Sequence, residues 1–308
     1  MDETSPANKI DISIVVPSYN EEENILHLME ELSKMLDDTG MKAEVILVDD
    51  GSTDGTLQKA LECEKNYDFL RVTSNKRNMG KTAALQKGYM EARGQIYVIF
   101  DADLQFDPFD IPRMVEKIDK GADIVTGWKQ GKYQKRIVSF VYNYLSRKLF
   151  HIKVHDLNSM KVFKKEIIEN LSLRKDWHRY LVVLAADKGY RVEEVKINLF
   201  PRKYGKAKYG GYWRIVVGAL DLISVKFQIS FMRKPMLLFG SAGGFFTLAG
   251  VIVGIIALYQ RFILHHGYRP LGYLIVLLIV VGILFFVLGF LAEAIAGVQD
   301  ELRRLEKK

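Results

Sequence analysis

The chain has 308 residues, 49% hydrophobic and 26% charged, which is too apolar for a disordered protein and too charged for a bundle buried wholly in lipid. Its 44 Lys and Arg outnumber 37 Asp and Glu, and this net +7 matters only where it clusters, at Lys129 to Arg136, Arg202 to Lys208 and Arg303 to Lys308. One cysteine, Cys63, excludes an intramolecular disulfide and a cysteine-built metal site, and it suits a reducing compartment. The first residues lack a basic start and an apolar core, so no signal peptide is expected there. No motif supports a nucleic-acid partner for the basic excess.

In chain order, the segment ISIVVPSY predicts a short β-branched strand ending at Pro17. EEENILHLMEELSKML has apolar residues at helical spacing, with acids expected in its first turn. AEVILVDD predicts a second strand, followed by a Gly-Ser-Thr turn and a helix around TLQKALECE. FLRVTSN is a third strand before the helix TAALQKGYMEA, QIYVIFDAD a fourth, and ADIVTGW a fifth. Strands alternating with helices imply a mostly parallel sheet covered on both faces, in a domain spanning residues 1–209.

Residues 210–234 read as an amphipathic segment lying in a membrane interface. Arg214, Asp221 and Gln228 recur every seven residues opposite a broad apolar face, and the segment is too interrupted to span. An ordinary surface helix is the bland alternative. Two runs then meet the length of about 20 apolar residues needed to cross a bilayer, residues 235–259 and 271–292. Their short link makes a hairpin, within residues 235–297, that returns the chain to the same side. Arg233, Lys234 and the basic tail over 298–308 outweigh Arg261 and Arg269 in the link, which predicts a cytoplasmic N-terminal domain and tail. His265-His266 in that link read as loop residues.

In open parallel sheets, ligands bind at the carboxyl ends of strands. Three expected strands end in acidic motifs: Pro17-Ser18-Tyr19-Asn20-Glu21, Asp49-Asp50-Gly51-Ser52-Thr53-Asp54-Gly55-Thr56 and Asp101-Ala102-Asp103-Leu104-Gln105. One such acid is usually a helix cap, but three in one domain suggest a site. If the fourth strand runs on, alternation places Asp101 and Asp103 on one side, with Gln105 continuing the row. Two carboxylates and an amide oxygen are hard ligands of the kind Mg²⁺ or Mn²⁺ prefers. Asn78-Met79-Gly80-Lys81-Thr82 is no P-loop end, because position 75 is Asn75 rather than glycine.

Together with Asn78-Met79-Gly80-Lys81, these motifs resemble those of the family-2 inverting glycosyltransferases with the GT-A fold. Within that family the resemblance, over roughly Ile12 to Tyr209, is to the polyprenyl-phosphate type such as dolichol-phosphate mannose synthase. It implies a nucleotide-sugar donor, a divalent metal and a lipid-phosphate acceptor in the membrane. It implies further that Pro17, Tyr19, Glu21 and Asp50 hold the nucleoside, and that Lys81 lies near phosphate. Asp101, with Ala102, then lies against the donor, while Asp101, Asp103 and Gln105 hold Mn²⁺ or Mg²⁺ and the diphosphate.

On the acceptor side, Lys129 stands where the family has the arginine of a Gly-Ser-Arg segment. Lys135, Arg136 and Ser139 resemble a later Arg/Lys pair with a serine. Arg202 and Lys208 match an Arg…Gly-x-Ser-Lys loop in which Ala207 replaces the serine. The stretch from Asp156 to Lys161 resembles Asp-x-x-Ser-Gly-Phe with Gly and Phe replaced. The expected catalytic residues are Asp103, Arg202 and Lys208. Each of the basic residues read singly is a solvated charge; together they offer cations to a diphosphate and an acceptor phosphate.

A lipid monophosphate is already ionised at neutral pH, so its oxygen can attack without a strong general base, and single displacement inverts the anomeric centre. His155-Asp156 is a poor base pair because adjacent residues rarely form a dyad. The expected reaction is therefore transfer of one sugar from a UDP- or GDP-sugar to dolichyl or undecaprenyl phosphate at the cytoplasmic face of a prokaryotic cell membrane. The alternatives are a processive polysaccharide synthase, whose Thr-Glu-Asp and Gln-x-x-Arg-Trp motifs are missing here, and a non-catalytic lipid-binding membrane module. The sugar, the base of the donor and the oligomeric state, homo-oligomer included, stay open at this level.

Overall fold

The computed structural model describes residues 10–130, 143, 146–150, 152–171, 174, 176–202, 220–227, 229, 234–265 and 269–305. The chain divides into two compact units, Met1–Ala219 and Leu220–Lys308. The expected domain boundary near residue 209 lies outside the described residues.

In the first unit the described strands are β1 (Ile12–Ser18), β2 (Ala43–Asp49), β3 (Leu70–Ser74), β4 (Ile96–Ile99), β5 (Ile124–Gln130), β6 (Lys161–Lys164) and β7 (Val192–Asn198). They form one sheet in the order β3-β2-β1-β4-β6-β5-β7. All pairings are parallel except those of β6, which runs antiparallel to both β4 and β5. The sequence reading of a mostly parallel sheet therefore holds, with β6 and β7 added to the five expected strands. β1 and β2 are near-continuous β-branched runs buried on both faces, as a central parallel strand requires.

Helices cover both faces. On one lie α1 (Ile25–Thr39), α2 (Thr56–Glu64) and α4 (Asp110–Asp119), packed on Ile14, Val16, Leu47, Val98 and Val162. The buried stripe of α1, Ile25, Leu28, Met29, Leu32, Met35 and Leu36, follows helical spacing. Each of those side chains contributes up to about 1.5–3 kcal/mol by leaving water. The helix stops at Gly40, whose φ of 64° lets its N–H reach the Leu36 carbonyl at 2.9 Å. It begins only at Ile25, so Glu21 to Glu23 precede it and its first turn carries no acid. On the other face, α3 (Lys81–Glu91) stacks Tyr89 on Tyr97 at 5.4 Å, with Phe163 edge-on to both. Gly88 allows that approach, because a Cβ there would overlap Val15. Two short helices, α5 (Lys165–Asn170) and α6 (Leu181–Asp187), are also among the described elements of this unit.

β1 contains a proline although it is a central strand. Its pairing with β4 ends at Val15↔Ile99, while its pairing with β2 continues to Ser18↔Asp49. By the alternation of ladder bonds, the absent N–H of Pro17 would have pointed toward β4, which has already stopped. The two strands part there, at the point where strand order reverses, and the acidic motifs lie around the opening.

In the second unit, residues 220–227 are helical, with Leu220, Ile223 and Phe227 exposed on one side. Most of the expected interfacial segment lies outside the described residues. Two long helices follow, α7 (Pro235–Phe262) and α8 (Arg269–Leu305). Both contain stretches long and apolar enough to cross a membrane, Pro235–Phe262 and Arg269–Val298. Few of their side chains are buried, unlike those of the core helices of a soluble protein. Both helices exceed the expected apolar runs, because the flanking residues include good helix formers such as Ala, Glu and Leu. The tail is correspondingly helical through Leu305. Gly243, Gly250 and Gly282 let the two backbones touch, and Glu293 accepts the Met236 N–H at 3.2 Å at the start of α7.

Candidate active site

The β2 end begins the site. Asp50 is buried, and its carboxylate accepts the Asn75 side-chain amide at 2.8 Å, the Met79 N–H at 3.0 Å and the Gly80 N–H at 2.7 Å. It therefore fixes the turn that launches α3. Gly51, at φ 68°, is required beside it, because any Cβ would collide with the Arg77 backbone. The Glu21 side chain accepts the Asn24 amide at 2.6 Å, and its N–H donates to the Thr56 hydroxyl at 2.8 Å. Pro17 and Tyr19 are half-buried beside these turns.

The acidic triplet departs from the expected row. β4 ends at Ile99 and Leu104 adopts φ 53°, so Asp101, Asp103 and Gln105 sit in turns rather than on one side of a strand. Asp101 pairs with Lys81 from the start of α3. Asp103 accepts both Nε and Nη2 of Arg202, at 3.1 and 2.6 Å, on one oxygen, and the Gln105 N–H at 3.3 Å on the other. The Gln105 side-chain amide donates to the Phe200 carbonyl at 3.4 Å, and the Phe200 N–H returns a 2.9 Å bond to the Gln105 carbonyl. Those two bonds tie the segment carrying Arg202 to the acidic loop. Ala102 is buried between the two acids.

Burial pushes the Asp101 carboxyl up, but Lys81, with Lys161 and Lys129 behind it, outweighs that and holds it below the usual range. Burial, and then the neighbouring Asp101 charge, push Asp103 up against the pull of Arg202.

A second set of charges lies on β5 and β6. Lys129 reaches Asp156 at 3.1 Å and donates to the Asn158 carbonyl at 2.9 Å. Asp156 is buried and also accepts the Asn158 N–H at 3.0 Å. Lys161, the first residue of β6, is buried and donates to the Ser159 carbonyl at 2.9 Å. Burial, with help from Lys81, pulls its pKa down to about 7 against the opposing pull of Asp156 and Asp101. His155 does not pair with Asp156: its ring stacks on Trp128 at 3.9 Å and meets Glu194 at 2.8 Å. Behind Lys81, Thr82 and His178 share a buried 2.8 Å hydrogen bond.

Sequence reasoning thus named the acids, Lys81, Lys129 and Arg202, and the fold gathers them at one edge. It gave no role to Lys161 or Asn75, and it left Asp156 without a partner. Lys135, Arg136, Ser139 and Lys208 lie outside the described residues.

The fold is that of the GT-A class. Glucosyl-3-phosphoglycerate synthase from Mycobacterium tuberculosis, solved with Mn²⁺, UDP and glucosyl-3-phosphoglycerate, superposes with a TM-score of 0.57 at 20% identity, over 71% of this chain and 79% of that one. The chain belongs to glycosyl transferase family 2, whose model matches residues 13–171. Its relatives include the dodecaprenyl-phosphate galacturonate synthase of Rhizobium johnstonii, 34% identical over 94% of this chain and 89% of the relative. The undecaprenyl-phosphate 4-deoxy-4-formamido-L-arabinose transferase of Salmonella paratyphi B is 25% identical over 98% and 93%.

Proposed function

We propose that this glycosyltransferase moves one sugar, with inversion, from a nucleotide sugar to polyprenyl phosphate at the cytoplasmic face of a cell membrane. The observation that carries the reading is the 34% identity, over nearly the whole length of both chains, to a synthase named for a polyprenyl phosphate. In this reading the nucleoside lies at the opening beside Pro17, Tyr19, Glu21 and Asp50. Residues 235–297 span the bilayer as a hairpin, residues 210–234 lie at its surface, and residues 1–209 and 298–308 share the cytoplasmic side.

Asp101 and Asp103 offer carboxylate oxygens at the same edge, and Gln105, whose amide N–H₂ is turned to Phe200, keeps its carbonyl oxygen for a ligand. That donor set fits a hard cation such as Mg²⁺ or Mn²⁺, which would neutralise the departing diphosphate. Lys81 and Arg202, each already at one of the acids, stand within reach of the same diphosphate. Lys129, with Lys135, Arg136, Ser139 and Lys208, is assigned to the acceptor phosphate. The residues' work is positioning and charge stabilisation rather than strong base catalysis.

The test is incubation of purified protein with undecaprenyl or dolichyl phosphate and a panel of radiolabelled UDP- and GDP-sugars. One donor should yield a lipid-linked monosaccharide, and excess chelator should stop the reaction. Failure with every donor would refute the reading, and a growing polymer would favour a processive synthase.

A further inference from the structure

The hairpin holds a cavity lined by none of the residues assigned above to the transfer reaction. It lies where α7 and α8 approach the link, has a volume of about 490 Å³, and is lined by Leu258, Leu271 and Ile275 together with Gln260, Arg261 and Arg269. Arg261 occupies the last turn of α7 and Arg269 the first position of α8, so one guanidinium comes from each side of the link.

The electrostatics there are unbalanced. Neither helix carries an acid before Glu293, which lies about 36 Å along α8 from Arg269 at the standard rise per residue. Among the described residues, neither arginine has a hydrogen-bond or ion-pair partner. Arg269 also begins the described part of α8, and a cation is disfavoured near the start of a helix. In a spanning hairpin, the link side is moreover the one where basic residues are selected against. Two exposed guanidinium groups that line one largely apolar cavity are stabilised when an anion joins them.

We propose that this cavity binds the phosphate of an anionic phospholipid, whose acyl chain runs along Leu258, Leu271 and Ile275. Guanidinium forks match phosphate oxygens, and the volume suits a headgroup rather than a whole lipid. The phospholipid is favoured over the polyprenyl acceptor because the acceptor's phosphate must meet the catalytic unit, whose chain joins the hairpin at the opposite end. The inference rests on the hairpin spanning a bilayer, as proposed above.

The experiment uses the full chain in nanodiscs of equal phosphatidylglycerol and phosphatidylcholine, with retained lipids read by native mass spectrometry. Wild type should retain phosphatidylglycerol over phosphatidylcholine by roughly tenfold or more, as charge-assisted contacts of ordinary strength imply. Arg261→Gln with Arg269→Gln should erase that preference, and Arg261→Lys with Arg269→Lys should keep part of it. Sugar transfer in the same discs should be unchanged in both double variants. Equal retention of the two lipids by wild type, or an undiminished preference in the Gln variant, overturns the proposal. Displacement of phosphatidylglycerol by equimolar undecaprenyl phosphate would assign the cavity to the substrate instead. Release of the chain from membranes by alkaline carbonate would remove the spanning hairpin itself, a failure separable from the others.

Discussion

On the β1–β2 side of the sheet's carboxyl edge, Asp50 gives its oxygens to two backbone N–H groups and an asparagine. On the β4–β5–β6 side, Asp101, Asp103 and Asp156 each face a side-chain cation: Lys81, Arg202 and Lys129. Backbone donors cannot leave their acceptor without dismantling the turn that bears them. A lysine or arginine can rotate away and exchange a carboxylate for a phosphate at little structural cost. The first half is a frame, and the second is a set of exchangeable ion pairs.

Substitutions on the two sides should therefore fail differently. The largest effect is expected for Asp103→Ala, which removes a proposed metal and diphosphate contact together with the partner of Arg202. Transfer should fall by roughly a thousandfold or more while circular dichroism stays native. Wild-type turnover in this variant would return Asp103 to a structural role. Arg202→Ala should reduce transfer by roughly ten- to a hundredfold, as the loss of one charge-assisted contact implies, with nucleotide binding measured by calorimetry less affected than turnover.

Across the edge, Asp50→Ala should act first on folding. Two N–H groups at the start of α3 would lose their acceptor, at about 2–4 kcal/mol, read as a lowered melting temperature before any kinetic measurement. A native melting curve with lost activity would place Asp50 among the exchangeable groups and break the distinction.

The smallest effect concerns Lys161. Its pKa in the fold, about 7, lies below the 10.5 of an exposed lysine, so between those values the unfolded chain binds more protons. Stability relative to Lys161→Met should therefore rise as pH increases from 7 toward 10.5, and stay level below pH 7. Melting curves of both proteins at pH 6, 7.5 and 9 decide this.

The same distinction governs how much the sequence revealed. Apolar runs ending in acids announced β1, β2 and β4 and the carboxylates after them, because burial on both faces leaves an unmistakable composition. β6 is a four-residue KVFK bounded by lysines, and β7, VEEVKIN, carries two adjacent glutamates and a lysine, so neither stood out as a strand. With β6 went Lys161, which in a lysine-rich stretch looks like a solvated charge. Only the antiparallel return of the chain between β4 and β5 buries it. The row expected for Asp101, Asp103 and Gln105 failed because periodicity describes a strand, and the strand had stopped before them. The pairing of Asp103 with Arg202, 99 positions along the chain, is beyond any local pattern.

Pro17 has a consequence for the protein's history. A residue with an N–H at that position could carry the β1–β4 ladder one step further, which would strengthen the sheet and narrow the gap facing Asp101. Selection for thermal stability alone would replace the proline, whereas selection for catalysis would retain it. The opening beside Asp101 can thus be regarded as an unmade hydrogen bond, at the one amino acid that cannot form it.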